Sequence, residues 1–531
     1  MKKKMFKRAG VAVLSMAMLL SMGAVGAISA SASTNQVKLT VGKLYNDTNG
    51  TTTLTEDTTA TIKVYQVAYQ DTVSKKWYWN APYGTQDAEM SASEISTLKA
   101  KNAAQMNAQA ATFAAQATDP TKVATGTPDT TLTLDDVTGV DVDRNAWYLV
   151  TATPTGGELV QPALIDIDGT SDITKTLGLK STPIPFDKSI TSVSAGDGEV
   201  AADNNSASAK IGATVNYQIS TVLPTYEDGT TGTAVTSCDP FLITDDPDAG
   251  IAVDVSSVVV TINGTTAFTG GAAQTEFDGL TVAADNSTYG WTTGYDGFRI
   301  TIPSATVIAN QNKNVVVTFT ATVDTDATTG SVSNKNYAKA EYSNNFSTGT
   351  GDTKTKEDTV NLYAAKLLLK KNGYKGDGSG VQTENLAATF TLQKDSDPAT
   401  TINVTAGAPL DLGYLAAGTY TLTETTPPAG YKTVKNTYQF TVTHGATPHS
   451  EYTITGGTAV QETIGGVLVT AVDLSASGNT STIAVNDPPA DSLPGTGGMG
   501  TIMFTVGGAA IVLCAGFMFV IYMRKRRAEE E

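Results

Sequence analysis

Tyr438-Gln439-Phe440-Thr441-Val442 sets Tyr438, Phe440 and Val442 on one side of an extended chain and Gln439 and Thr441 on the other. That period of two is what a strand with one buried face requires. Similar runs recur along the chain at Thr61-Ile62-Lys63-Val64-Tyr65-Gln66-Val67, Val258-Val259-Val260-Thr261-Ile262 and Val315-Val316-Val317-Thr318-Phe319. Each is rich in β-branched residues and bounded by Gly, Asn and Asp turns. One stretch, Ala92 to Ala117, is rich in Ala, Gln and Lys and predicts a helical insertion. Many short strands with a single helical interruption predict an all-β chain of tandem Ig-like β-sandwich domains.

At ~150 residues per domain the body has room for three. Ser181-Thr182-Pro183-Ile184-Pro185 reads as a linker, because its prolines exclude a central strand. The polar, turn-rich segment from Gly349 to Asp358 reads as a second linker, and Asp487-Pro488-Pro489-Ala490-Asp491 as a stiff stalk. The expected organisation is a leader at 1–32, a first domain at 33–182, a middle domain at 183–360, a third at 361–488, and a stalk with anchor at 489–531.

The ends carry export signals. Lys2, Lys3, Lys4, Lys7 and Arg8 precede an apolar run from Ala9 to Ile28, and Ala30-Ser31-Ala32 supplies a small-residue cut site, the order of a secretory signal peptide. Ile502 to Met523 is uncharged and long enough to cross a hydrocarbon core of ~30 Å as a helix. Arg524, Lys525, Arg526 and Arg527 follow and hold the tail in the cytoplasm. Just outside that span lies Leu493-Pro494-Gly495-Thr496-Gly497. The pentapeptide, apolar span and basic tail together resemble the cell-wall sorting signal of Gram-positive bacteria. The resemblance implies that a membrane transpeptidase, sortase, cuts between Thr496 and Gly497 and passes the Thr496 carbonyl to an amine. Pro494 biases the chain towards an extended form and Gly495 admits close approach of an enzyme cleft.

The chain has 35 Lys+Arg and 52 Asp+Glu. Removing five basic residues of the leader, and four basic and three acidic residues beyond Thr496, leaves 26 against 49 and a net charge of −23. Such acidity speaks against nucleic acid as a partner. Cys514 lies in the apolar span, so Cys238 is alone in the exported body, reads as a small buried residue, and excludes an intrachain disulfide. A long extracellular chain without disulfides invites another covalent staple. Two histidines, His444 and His449, leave little material for a zinc site or a Ser-His-Asp triad, and no metal or cofactor is expected.

Tyr420-Thr421-Leu422-Thr423-Glu424-Thr425-Thr426-Pro427-Pro428-Ala429-Gly430-Tyr431 resembles the E-box of Cna-B-type surface domains. Leu368-Leu369-Lys370-Lys371-Asn372 is similar to that family's first strand, and Thr482-Ile483-Ala484-Val485-Asn486 to its last. The resemblance implies an intramolecular isopeptide bond between Lys370 and Asn486, catalysed by Glu424, with Lys366 as the rival amine. Burial lowers an amine's pKa and raises a carboxyl's, which makes the first a nucleophile and the second a proton shuttle.

In the middle domain, Pro185-Phe186-Asp187-Lys188-Ser189-Ile190, Phe241-Leu242-Ile243-Thr244-Asp245-Asp246 and Asn334-Lys335-Asn336-Tyr337-Ala338-Lys339 resemble the isopeptide-forming second domain of sortase-assembled backbone pilins of the SpaA type. The resemblance implies a Lys188–Asn336 bond with Asp245 as catalyst, Asp246 and Asn334 being adjacent rivals. Leu177-Gly178-Leu179-Lys180-Ser181 stands where those pilins carry the lysine that accepts the next subunit, although Gly178-Leu179 replaces their Tyr-Pro pair. Lys180 is the expected acceptor and Lys175 the runner-up. Ala146-Trp147-Tyr148-Leu149-Val150-Thr151 is similar to a strand of their first domain, where no Lys, acid and Asn set stands out and Asp166 and Asp168 have no assigned role.

The expectation is a secreted, wall-anchored structural subunit, not an enzyme. Its implied partners are a pilus-specific class C-type sortase, identical subunits, peptidoglycan through a housekeeping sortase, minor pilins and the host surface. The competing expectation is a wall-anchored adhesin or accessory pilin that binds host matrix without polymerising.

Overall fold

The computed structural model describes residues 37–529 apart from 47–53, 72, 102, 118–121, 135–144, 156–158, 168–172, 178, 182, 228–234, 286–296, 347, 435–436, 446–450, 478–479 and 491–498. The chain divides into two compact units. One holds the residues up to Lys366 together with Gly413–Ala417 and Thr443–Thr453, and the other the remainder from Leu367. Both are built from strands.

In the first unit, the strands Ala163–Ile167, Ala146–Thr153, Thr61–Gln70 and Trp77–Trp79 lie side by side. Their alternate residues feed two cores. Ile62, Val64, Tyr148 and Val150 join Leu39 and Val41 on one face. Tyr65, Val67, Trp147 and Leu149 meet the helical insertion on the other. The expected helical insertion forms two helices, Ala92–Lys99 and Ala103–Ala114. The first is started by a capping box, in which Ser91 Oγ accepts from the Glu94 backbone N–H and the Glu94 carboxylate accepts from that of Ser91.

The same unit contains a β-sandwich over a larger core that includes Phe186, Tyr217, Phe298, Phe319 and Tyr342. Its six-stranded sheet is ordered Phe186–Val193, Thr214–Val222, Asn314–Val323, Ile251–Ile262, Thr265–Thr269, Ala272–Ala273. Its seven-stranded sheet contains Thr353–Ala365, Asn334–Ser343, Phe241–Pro247 and Gly297–Ile302 as consecutive neighbours. The strand Thr353–Ala365 begins inside the segment expected to be a linker. Its Lys and Glu residues make it polar, yet Val360, Leu362 and Ala364 carry the buried alternation of a strand.

In the second unit, the first and last strands, Leu367–Tyr374 and Thr480–Asp487, are parallel neighbours, with Leu369 opposite Ile483 and Gly373 opposite Asp487. A second sheet carries Ala388–Lys394, Gly418–Thr426 and Tyr438–Thr443 in adjacent positions. Tyr438, Phe440 and Val442 are buried as their alternation requires, while Gln439 is exposed. Helix Met499–Ala528 follows, and within Met503–Ala528 an 18-residue stretch has a mean hydropathy of 2.3. At 1.5 Å rise per residue its 30 residues span about 45 Å, enough to cross a bilayer.

Candidate functional site

Strand parity carries polar side chains into the apolar interior at two places. In the large sandwich, Phe186, Lys188 and Ile190 alternate inwards on the edge strand of the six-stranded sheet, and all three are fully buried. Opposite them, Ile243 and Asp245 point inwards from one strand of the other sheet, and Asn336, Ala338 and Ala340 from its neighbour. The register sets Asp245 beside Ala338 and Asn336 beside Pro247, so Asp245 and Asn336 are diagonal neighbours on adjacent strands.

Lys188 Nζ is bonded to Asp245 Oδ2 and donates to the backbone oxygen of Tyr337 at 3.1 Å, immediately after Asn336. The ammonium position lies 5.7 Å from the Tyr217 ring centroid and 5.3 Å from that of Phe319. This apolar surround pushes the Lys188 pKa down and the Asp245 pKa up; in both, desolvation outweighs the opposing pull of the partner. The Asn336 amide is close enough to Asp245 to oppose that rise, yet neither of its atoms makes a hydrogen bond of ordinary geometry. The rivals are distinguished by their bonds. Asn334 accepts from Thr328 N–H at 2.8 Å and donates to the Thr328 and Leu362 carbonyls at 2.9 and 3.1 Å, so its amide is fully occupied as a turn clamp. Asp246 is buried but does not bond Lys188. Asp358, which the sequence reading passed over, accepts the Lys188 backbone N–H at 2.7 Å and pins the edge strand. Gly297 has to lack a side chain, since a Cβ there would stand 1.9 Å from the Asp245 carbonyl oxygen.

In the second unit the expected pair is displaced by one residue. Lys370 lies on the opposite side of its strand from the core and pairs with Glu384 at 3.1 Å. Asn486 accepts from the Asn372 amide at 2.9 Å and donates to the Thr470 carbonyl at 3.2 Å. The fully buried residues are Lys371 and Asp487, which form an ion pair, and Lys371 Nζ lies 3.2 Å from Glu424 Oε1. Leu367, Leu369 and Lys371 share one parity, as do Ile483, Val485 and Asp487. Three consecutive leucines mask the first alternation; the second is legible in the sequence. Lys366 is half-buried just before the strand. Burial is the main cause that pushes the Asp487 carboxyl pKa up, against the pull of Lys371. Glu424 lies beside Lys371 instead of Lys370, and its Oε2 accepts the Val434 N–H at 3.2 Å.

Tyr431, the last E-box residue, packs over Gly373, two residues on from Lys371. A Cβ added at Gly373, directly opposite Asp487, would stand 2.2 Å from its ring. Gly373→Ala is therefore expected to cost about 1–3 kcal/mol through overpacking, measured as a lower melting temperature of the second unit.

Lys180 lies in a short strand opposite Gln161 and Lys175 opposite Leu39. Leu493, Pro494, Gly495, Thr496 and Gly497, the leader 1–32 and Asp168 lie outside the described residues. Asp166 stands opposite Trp147 in its strand pair, and Cys238 is buried. Among the described residues no group of three His, Cys, Asp or Glu side chains is placed to hold a metal ion.

Residues 365–456 match the family model described as SpaA, a prealbumin-like fold domain. No curated protein matches the chain. Among solved structures, the chain is similar to the T6 backbone pilin of serotype M6 Streptococcus pyogenes, with 14% identity, 87% of this chain and 100% of that one covered, and a TM-score of 0.45. It is also similar to the full-length major pilin SpaD from Corynebacterium diphtheriae, with 15% identity, 86% and 98% covered, and a TM-score of 0.38. For the major pilin subunit BcpA of Bacillus cereus the values are 10% identity, 86% and 99% covered, and 0.35.

Proposed function

We propose that the chain is the shaft subunit of a covalently polymerised, wall-anchored pilus, cut by sortase between Thr496 and Gly497 and joined through Thr496 to Lys180 of the next subunit. Two internal isopeptide bonds stiffen it. The observation that carries this reading is the Lys188, Asp245 and Asn336 group. An orphaned buried amide and a buried ion pair are costly in a structural core. Converting them to one neutral amide removes both costs and supplies the staple that a disulfide-free exported chain lacks.

The chemistry is local. Neutral Lys188 Nζ attacks Asn336 Cγ and forms the new C–N bond. Protonated Asp245 gives its proton to the departing amide nitrogen and regains one from the attacking amine, and ammonia leaves. In the second unit Lys371 condenses with the carboxyl of Asp487. Glu424 relays the protons and water leaves. Each reaction turns over once, so the chain is a substrate and a structural element rather than an enzyme.

The rate of Lys188–Asn336 bond formation should pass through a maximum with pH. Below the lowered Lys188 pKa the amine holds its proton and cannot attack; above the raised Asp245 pKa the acid has lost its proton. Time-resolved mass measurement of newly made chain across pH checks this. A rate that rises monotonically with pH would remove Asp245 as the acid.

The shaft assignment is tested by an SDS gel of muramidase-released wall protein from cells carrying the native chain or Lys180→Ala. A native ladder that collapses to monomer in the variant supports both the shaft and the acceptor. A ladder that persists moves the acceptor to Lys175. A single band in both lanes overturns polymerisation and leaves a wall-anchored adhesin.

A further inference from the structure

Besides Asp246 and Asp358, the compartment around Lys188 contains a polar group that the bond-forming chemistry above does not use. Tyr217 lies on the strand next to Lys188, in register with Ile190 on one side and Phe319 on the other. Its ring stacks on Phe319, with centroids 5.2 Å apart, and lies beneath Lys188 Nζ. The residue is fully buried, and its hydroxyl has no hydrogen-bond partner. Asp245 Oδ2 is taken by Lys188, whereas Asp245 Oδ1 is also without a partner. A lone buried donor and a lone buried acceptor thus share one apolar space. The charge of Asp245 acts on the phenol, helping to push its pKa up beyond the main effect of burial. Phe319 alongside demonstrates that a ring without a hydroxyl packs well at this depth. A buried hydroxyl left unpaired is destabilising, so its presence calls for a partner at some stage.

We propose that Tyr217 is a positioning residue for the Lys188–Asn336 bond: its hydroxyl donates to Asp245 Oδ1 and so keeps the carboxyl's proton on Oδ2, facing the reacting amine and amide. Tyr217 forms no bond to the reacting atoms and carries no proton away. The assignment rests on the isopeptide reading of this group.

The test is synthesis of the full chain in a cell-free system at a series of pH values, with aliquots quenched in denaturant and the linked peptides quantified by mass. Tyr217→Phe is compared with the native chain; the Lys371–Asp487 bond in the second unit controls for synthesis, and protease resistance of the first unit reports whether the sandwich folds. The expected result is Lys188–Asn336 bond formation about tenfold slower in the variant, the worth of one buried hydrogen bond. The alkaline limb of its pH profile should move upwards, because loss of a donor disfavours the carboxylate. An unchanged rate and profile would overturn the Tyr217 assignment alone. Absence of the bond from the native chain would overturn the reading beneath it as well. A variant whose first unit gains protease resistance as slowly as it forms the bond would make Tyr217 a folding residue and overturn the proposal.

Discussion

Asn336→Ala produces a chain whose large sandwich melts roughly 10–20 °C below the native one, given that 1 kcal/mol moves a domain of this size by about 2–4 °C. The native chain should weigh less than its sequence mass by one ammonia for this bond, and the variant should not. A link from Lys188 to Asn336 closes a loop of about 150 residues, and the chain-entropy value for such a loop is about 5 kcal/mol. Asp245→Ala should likewise keep its full sequence mass and lose at least as much in melting temperature, since without its acid the amide nitrogen cannot depart. It also leaves Lys188 buried without its carboxylate partner, which adds to the destabilisation. Calorimetry with intact-mass measurement checks both. A native chain at full sequence mass would remove the staple from this unit.

In the second unit, Lys371→Ala should abolish the staple and Lys370→Ala should leave it in place. The two residues are adjacent in sequence but lie on opposite sides of a strand. Lys371 is sealed against Glu424 and Asp487, while Lys370 pairs with Glu384 near the surface. The native chain should lack one water from its sequence mass, because Asp487 would bring a hydroxyl and not an amine to the condensation. Loss of a loop of about 115 residues is worth about 5 kcal/mol, whereas loss of a partly exposed ion pair is worth under about 1 kcal/mol. Glu424→Gln should slow closure without preventing folding, because the amide keeps the side chain's shape but cannot relay a proton. Loss of ammonia in place of water, with the link mapped to Asn486, would restore the pairing expected from the sequence alone.

Strand composition and period two were sufficient to read an all-β chain, and Tyr438, Phe440 and Val442 fill the core as their alternation demands. The apolar span before the basic tail is a helix, as its length and lack of charge require. The helical insertion was legible in its composition but not in its break, since both pieces are equally good helix formers. The strand Thr353–Ala365 was hidden because Lys354, Lys356, Glu357 and Asp358 crowd its first half with charge. Lys188, Asp245 and Asn336 occupy core positions in strands whose alternation is clear from Phe186, Ile190, Ile243 and Ala338, and the structure brings these three together.

What the sequence determined by itself is the fold class, because each strand declares its buried face through its own neighbours; that a lysine, an acid and an amide should meet was implied by the resemblance to isopeptide-forming domains. What the tertiary structure alone decided is which neighbour faces inwards where the pattern is degenerate. In Leu367-Leu368-Leu369-Lys370-Lys371 both faces read as apolar until the parallel partner strand sets the register, with Leu369 against Ile483. A shift of one residue turns a side chain to the other face, so Lys371 is sealed in and Lys370 lies outside. The same holds for Tyr217, whose hydroxyl gains meaning only from the opposite sheet, where packing places Asp245 within reach of its field.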